Sequence, residues 1–155
     1  MSLQAHPSPN STLSALDGIA ASATDLWLLI GRLLMCWIFI AVAWGSGGSA
    51  AGLAGYLTSL KVPAPEILSW VGLIVEVLIA ISLVFGIATR YGAALAILFV
   101  IVATALAHRY WEYTGPAIGV NYNYFLKNLS MIGGFIYLFV TGPGRFSVDN
   151  ALGRK

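Results

Sequence analysis

Residues 72–108, GLIVEVLIAISLVFGIATRYGAALAILFVIVATALAH, decide the fold: only Glu76 and Arg90 carry a fixed charge in a run long enough to cross a bilayer twice. A helix needs about 20 residues to span about 30 Å of hydrocarbon. Thr89 and Arg90 are the one clear polar break in the run. The reading is therefore a span from about residue 65 to 88, a tight turn, and an antiparallel span from about 91 to 108. Strands are excluded, because open sheet edges cannot face lipid and so few spans cannot close a barrel.

Working outward, two more runs of the same kind flank this pair. One covers residues 25–44, carries Arg32, and stops at the turn-forming Gly45, Ser46, Gly47 and Gly48. The other covers 122–141 and stops at Gly142, Pro143 and Gly144, where proline cannot continue the hydrogen-bond ladder. Between the first and second spans, Ser49 to Leu60 is apolar but too short to cross. A short interfacial helix or an ordinary connecting loop both fit it. The fold class is thus an all-α membrane protein, a four-transmembrane-helix bundle with a short interfacial helix between the first and second spans. Its domains are a polar flexible tail (1–23), the membrane domain (24–149) and a basic C-terminal tail (150–155).

The composition agrees. Of 155 residues, 59% are hydrophobic and 9% charged, against roughly 25% charged in an ordinary soluble domain. Fourteen charged residues cannot solvate a surface of this size in water, so the lipid bilayer is the first partner. A net charge of +2 with scattered basic residues excludes nucleic acid. Cys36 is the single cysteine, which excludes an intramolecular disulfide, a CxxC pair or a thiolate metal site. No Lys or Arg occurs before Arg32, so a cleavable secretory signal is not expected. The termini and second loop hold Arg90, Arg145, Arg154 and Lys155, against Lys61, Arg109 and Lys127 on the other side. That majority places both termini in the cytoplasm.

Charge inside a span costs at least about 2.5–3.5 kcal/mol on insertion scales, so Arg32 and Glu76 need partners, water or a task. One reading is an inward-facing ion pair that locks the first two spans. In another, Glu76 relays protons or binds a polar ligand. In a third, Arg32 snorkels to the surface. At the opposite side His108 precedes Glu112 by four residues, and Lys127 and Asn128 open the fourth span. These four converge in one polar pocket suited to proton exchange with a quinone headgroup, or else act as interfacial anchors together with Trp111. Tyr110, Trp111, Tyr113 and Tyr122 suit the headgroup level. A bis-histidine haem would need a second intramembrane histidine, so neither a haem nor a metal site is expected in one protomer. Cys36 reads as a small buried hydrophobe or as a reactive thiol. The small-xxx-small pairs Gly48/Gly52 and Ser130/Gly134 fit helix packing or a homo-oligomer.

Six segments in order, LLIGRLL (28–34), YLTSLKVPAPE (56–66), GLIVEVLIAISLVFGIATRYGA (72–93), AHRYW (107–111), FLKNLSMIGG (125–134) and GPGRFSVD (142–149), resemble the DoxX family. The resemblance covers about Leu26 to Asp149 and points to Arg32, Glu76, His108, Trp111, Lys127, Asn128 and Arg145 as family positions. The family commonly has Gly-Lys after the first span, where this chain reads AWGSGGS, so any role of that lysine is absent or moved. The family is named for similarity to a subunit of a membrane thiosulfate:quinone oxidoreductase, and other members are linked to oxidative-stress complexes with soluble redox enzymes. The resemblance therefore implies a bacterial inner-membrane subunit that docks redox protein partners and admits quinone or a sulfur compound. A non-catalytic anchor or assembly factor is the alternative reading. A small transporter, with Arg32 and Glu76 lining a polar path, is the third.

Overall fold

The computed structural model describes residues 12–44 and 49–154. Seven α-helices occur among them: α1 (Thr12–Ser22), α2 (Thr24–Trp44), α3 (Ala50–Ser59), α4 (Pro65–Phe85), α5 (Thr89–Ala107), α6 (Pro116–Thr141) and the single turn α7 (Val148–Ala151). A 3-10 turn, Tyr110–Glu112, joins α5 to the loop before α6. Helices α2, α4, α5 and α6 are each long and apolar enough to cross a bilayer, and no more than 28% of any span is buried by the protein itself. Leu34, Trp37, Ile67, Leu98, Tyr137 and Val140 all point outward. An exposed apolar surface of this extent is stable against acyl chains and not against water. The chain is a multi-pass membrane protein.

The four spans close a ring in the order α2, α4, α5, α6, with the α2–α6 seam the weakest, and α3 lies along α4. Each helix buries one stripe at helical spacing: Arg32, Cys36 and Phe39 on α2; Ser69, Glu76, Ile79 and Leu83 on α4; Gly92, Ala93, Ala96 and Val100 on α5; Phe135 and Leu138 on α6. Small residues let α5 and α4 approach closely. A Cβ on Gly92 would collide with Ser82. Phe39 fills the centre, with Phe99 at 6.1 Å and Phe135 at 6.0 Å between ring centroids. Gly134 receives Met35 of α2, whereas Ser130, one turn before it, is exposed. Gly45 to Gly48, including one half of the Gly48/Gly52 pair, and Lys155 lie outside the described residues.

Three boundaries differ from the sequence reading. Residues 12–22, assigned to a loose tail, are helical. The segment TLSALDGIAAS is rich in alanine and leucine, and it joins α2 with only Ala23 between them, which removes the cost of nucleating a separate helix. Helix α6 begins at Pro116, six residues before the expected Tyr122, because proline suits the first helical position and Asn121 donates to the Ala117 carbonyl within the helix. The turn between the central pair is Gly86–Ala88, so α4 ends at Phe85 and α5 starts at Thr89. The expected short helix is present as α3, opened by the Ser49 hydroxyl, which accepts from the Gly52 N–H at 3.0 Å.

Candidate functional site

With four spans, the first residues of α2, the α4–α5 turn and the segment after α6 meet at one end, the terminal end. The ends of α3, α5 and the start of α6 meet at the other, the distal end.

At the terminal end the segment 142–149, GPGRFSVD, acts as a strap. Arg32 is 2% exposed, and its guanidinium donates to two strap carbonyls, Nη1 to Pro143 at 3.0 Å and Nη2 to Phe146 at 2.7 Å, while Nε has no partner. Asp25 accepts from the Arg145 backbone N–H at 2.7 Å. Both Asp149 oxygens accept backbone donors at 2.8 Å, from Ala88 and from Thr89. Ala88 is the N-cap of α5 and has no polar side chain, so Asp149 caps that helix from a distance of sixty residues in sequence. Burial on its own raises the Asp149 carboxyl, but the N–H groups of Thr89 and Ala88 and the charge of Arg154 outweigh it and hold the group below the ordinary carboxylate range. Gly86, at φ +66°, lets the strap lie flat, since a Cβ there would strike Ser147 and the Arg32 guanidinium.

Arg32 and Glu76 do not pair. The guanidinium lies against Gly86, ten residues from Glu76 along α4, or about 15 Å at about 1.5 Å per residue. The cause is the tilt of helical side chains toward their own N-terminus. Helices α2 and α4 are antiparallel, so Arg32 leans to the terminal end and Glu76 to the distal end. Arg32 neither locks α2 to α4 through a carboxylate nor snorkels, and the two groups do not line a common path. Glu76 is 8% exposed, and its Oε2 has no hydrogen-bond partner. Cys36, fully buried one turn beyond Arg32, donates its thiol to the Leu33 carbonyl at 3.3 Å.

At the distal end the structure brings together three of the four residues expected there. His108 stacks on Tyr124 with centroids 5.0 Å apart, and Lys127 Nζ lies 5.6 Å from the Tyr124 ring centroid. Asn128 Nδ2 donates to Thr104 Oγ1 at 2.8 Å, and that hydroxyl donates to the Val100 carbonyl. His108 Nδ1 is buried without a partner. Glu112 is not with them. The chain leaves the α-helix at His108 and tightens into a 3-10 turn, so i,i+3 replaces i,i+4 and Glu112 pairs with Arg109 at 3.1 Å.

Near this polar group lies an apolar groove of about 230 Å³ between α5 and α6, walled by Trp111, Phe125, Ile101 and Leu129, with Thr104 in its lining. Tyr110 braces the walls, with ring centroids 5.1 Å from Trp111 and 5.4 Å from Phe125. Trp111 is thus a groove wall. Arg145 lies at the terminal end, with its guanidinium 5.8 Å from the Phe146 ring centroid. Sequence reading missed Asp149, Asp25, Thr104 and Tyr124. Thr104 is one turn before His108, and Tyr124 is three and four residues before Lys127 and Asn128, so helical periodicity carried that signal.

Residues 27–109 match the DoxX family. Among characterised sequences, the inner membrane protein YphA of Escherichia coli is 36% identical over 128 residues, 83% of this chain and 91% of that one. The inner membrane protein YqjF of the same organism is 33% identical over 131 residues, 84% and 95% of the two chains. A surfeit locus protein 4 homolog of Schizosaccharomyces pombe is 28% identical over 126 residues, which cover 36% of that protein. No solved structure matches the chain.

Proposed function

The chain belongs to the DoxX family, and from that premise we propose that it is an inner-membrane subunit of a redox system that holds a quinone-type ring at its distal end and docks an oxidoreductase partner there. One observation carries the reading: the aromatic-walled apolar groove is lined by Thr104, whose hydroxyl accepts from Asn128 and which stands one helical turn before His108. At about 230 Å³ the groove is smaller than the roughly 300–1,000 Å³ of sites for drug-sized ligands. It suits a single ring whose tail remains in lipid. Trp111 and Phe125 would sandwich the ring; Asn128 and Thr104 would meet its oxygens; His108 would exchange protons with it. Glu76 leans toward the same end and supplies a second proton-binding group deeper in the bundle.

The alternative, an anchor or assembly factor without chemistry of its own, draws support from the terminal end. Arg32, Asp25 and Asp149 all bind backbone and none is open to a ligand.

Titration of the protein in nanodiscs with a short-chain benzoquinone, followed by quenching of tryptophan emission, separates the two. Saturable quenching that is lost in Trp111→Phe and weakened about tenfold or more in both Asn128→Ala and His108→Ala is expected. Quenching that stays linear with quinone concentration, or is equal in all variants, would leave the anchor reading.

A further inference from the structure

A second cavity, of about 130 Å³, opens at the terminal end between the α4–α5 turn and the segment after α6. Thr89, Arg90, Tyr91, Pro143, Asp149 and Arg154 line it. Its volume is about four times the ~30 Å³ share of one water, which is the scale of a phosphodiester rather than of a ring. Two of the seven lining residues, which also include Ala88, are arginines. Neither comes within 4 Å of a carboxylate of the described residues, whose one salt bridge is Arg109–Glu112 at the distal end, although the Arg154 charge acts on Asp149 from farther away. The Arg90 guanidinium makes only a long contact, 3.4 Å, to the Val140 carbonyl. Asp149, the one acid in the lining, has both oxygens filled by backbone donors. Thr89 is fully buried, and its hydroxyl lies beside the Asp149 carboxylate.

We propose that this cavity binds the phosphate of an anionic phospholipid. Arg90 and Arg154 flank the headgroup and Tyr91 stands at the headgroup level. The position selects a lipid over a free anion. Arg90 lies in the first turn of a membrane-spanning helix and Pro143 follows the last residues of another. Tyr91, 82% exposed, and Val140, 67% exposed, present apolar surface on either side. Such a place is where phosphates sit and where acyl chains can lie against the adjoining apolar helix faces. Basic pockets between spanning helices recognise anionic headgroups in this way, with each nearby basic residue worth about fivefold in affinity.

The test uses the full chain in mild detergent, with retained lipid counted by native mass spectrometry against added phosphatidylglycerol or phosphatidylcholine. Preferential retention of one phosphatidylglycerol is expected. It should weaken about fivefold in Arg154→Ala and about twenty-fivefold in Arg90→Ala with Arg154→Ala together, and be largely restored by Arg90→Lys with Arg154→Lys. Because the Arg154 charge also acts on Asp149, the cap of α5, amide exchange at Thr89 to Gly92 is measured in the same variant, and unchanged exchange isolates binding from folding. Lys61→Ala at the distal end should change nothing. Equal retention of the two lipids, or unaltered retention in Arg154→Ala, would overturn the proposal. Displacement of the lipid by millimolar inorganic phosphate would reassign the site to a free anion.

Discussion

The two ends of the bundle use polar residues in opposite ways. At the terminal end Arg32, Asp25 and Asp149 are each bonded to backbone groups that would otherwise be orphans: two strap carbonyls and the N–H groups of Arg145, Ala88 and Thr89. Midway along α4 Glu76 Oε2, and at the distal end His108 Nδ1, are buried with no partner, as Arg32 Nε is at the terminal end, and an apolar groove lies beside the cluster that contains His108. In lipid a buried polar group without a partner is costly. Terminal-end charge is therefore engaged chiefly in closing the chain on itself, whereas Glu76 and His108 hold no backbone group.

The contrast breaks most visibly at Arg32. Arg32→Leu removes two hydrogen bonds from a charged group, each worth about 1.5–3 kcal/mol, and strands the carbonyls of Pro143 and Phe146. It relieves part of the cost of burying a cation, so a net loss of about 3 kcal/mol is expected in denaturant unfolding from mixed micelles. Arg32→Lys should recover less than half of it, because a point charge cannot span the two acceptors that the planar fork reaches. A loss below about 1 kcal/mol would mean that the strap holds by packing alone.

Asp149 sharpens the same side of the comparison at about 1–2 kcal/mol, the scale of a lost helix cap. Its folded carboxyl is held below the ordinary value, so the stabilisation is complete above the unfolded value of about pH 3.9 and is lost as pH falls through the lower folded value. Amide exchange at Thr89 to Gly92 should stay slow at pH 5 and accelerate below about pH 4, whereas Asp149→Asn should be fast throughout and lack that step. A step centred above pH 5 would assign the transition to another group.

The spans were legible because their period, length and Gly-Pro stops are properties of sequence alone. The partners were less so. Reading Arg32 against Glu76 follows from charge and proximity along the chain, but the tilt of side chains on antiparallel helices sends them to opposite ends, and that direction appears only once topology is fixed. Asp149 stands in the quoted GPGRFSVD segment, yet its partners Ala88 and Thr89 are sixty residues away, and no periodicity links them. His108, Lys127 and Asn128 were found by residue type. Tyr124 was not, because the fourth helix was started only two residues before it and its face was unread.

Glu76 gives the smallest expected effect and the strictest test of the comparison. It shares the buried stripe of Ser69, Ile79 and Leu83, so side-chain chemistry there is felt by the core. It makes no hydrogen bond through Oε2, so its removal orphans no identified donor. Replacing an unpaired buried ionisable group by an apolar one of similar volume is commonly neutral or stabilising. Glu76→Leu should therefore change unfolding stability by less than about 1 kcal/mol in either direction, in contrast to Arg32→Leu at the other end. If the distal end holds its polar groups for a ligand, the same variant should alter quinone binding or its pH dependence while remaining monodisperse. A loss of about 2 kcal/mol or more in stability would place Glu76 with Arg32 among the residues that hold the bundle together, and the division between the two ends would fail.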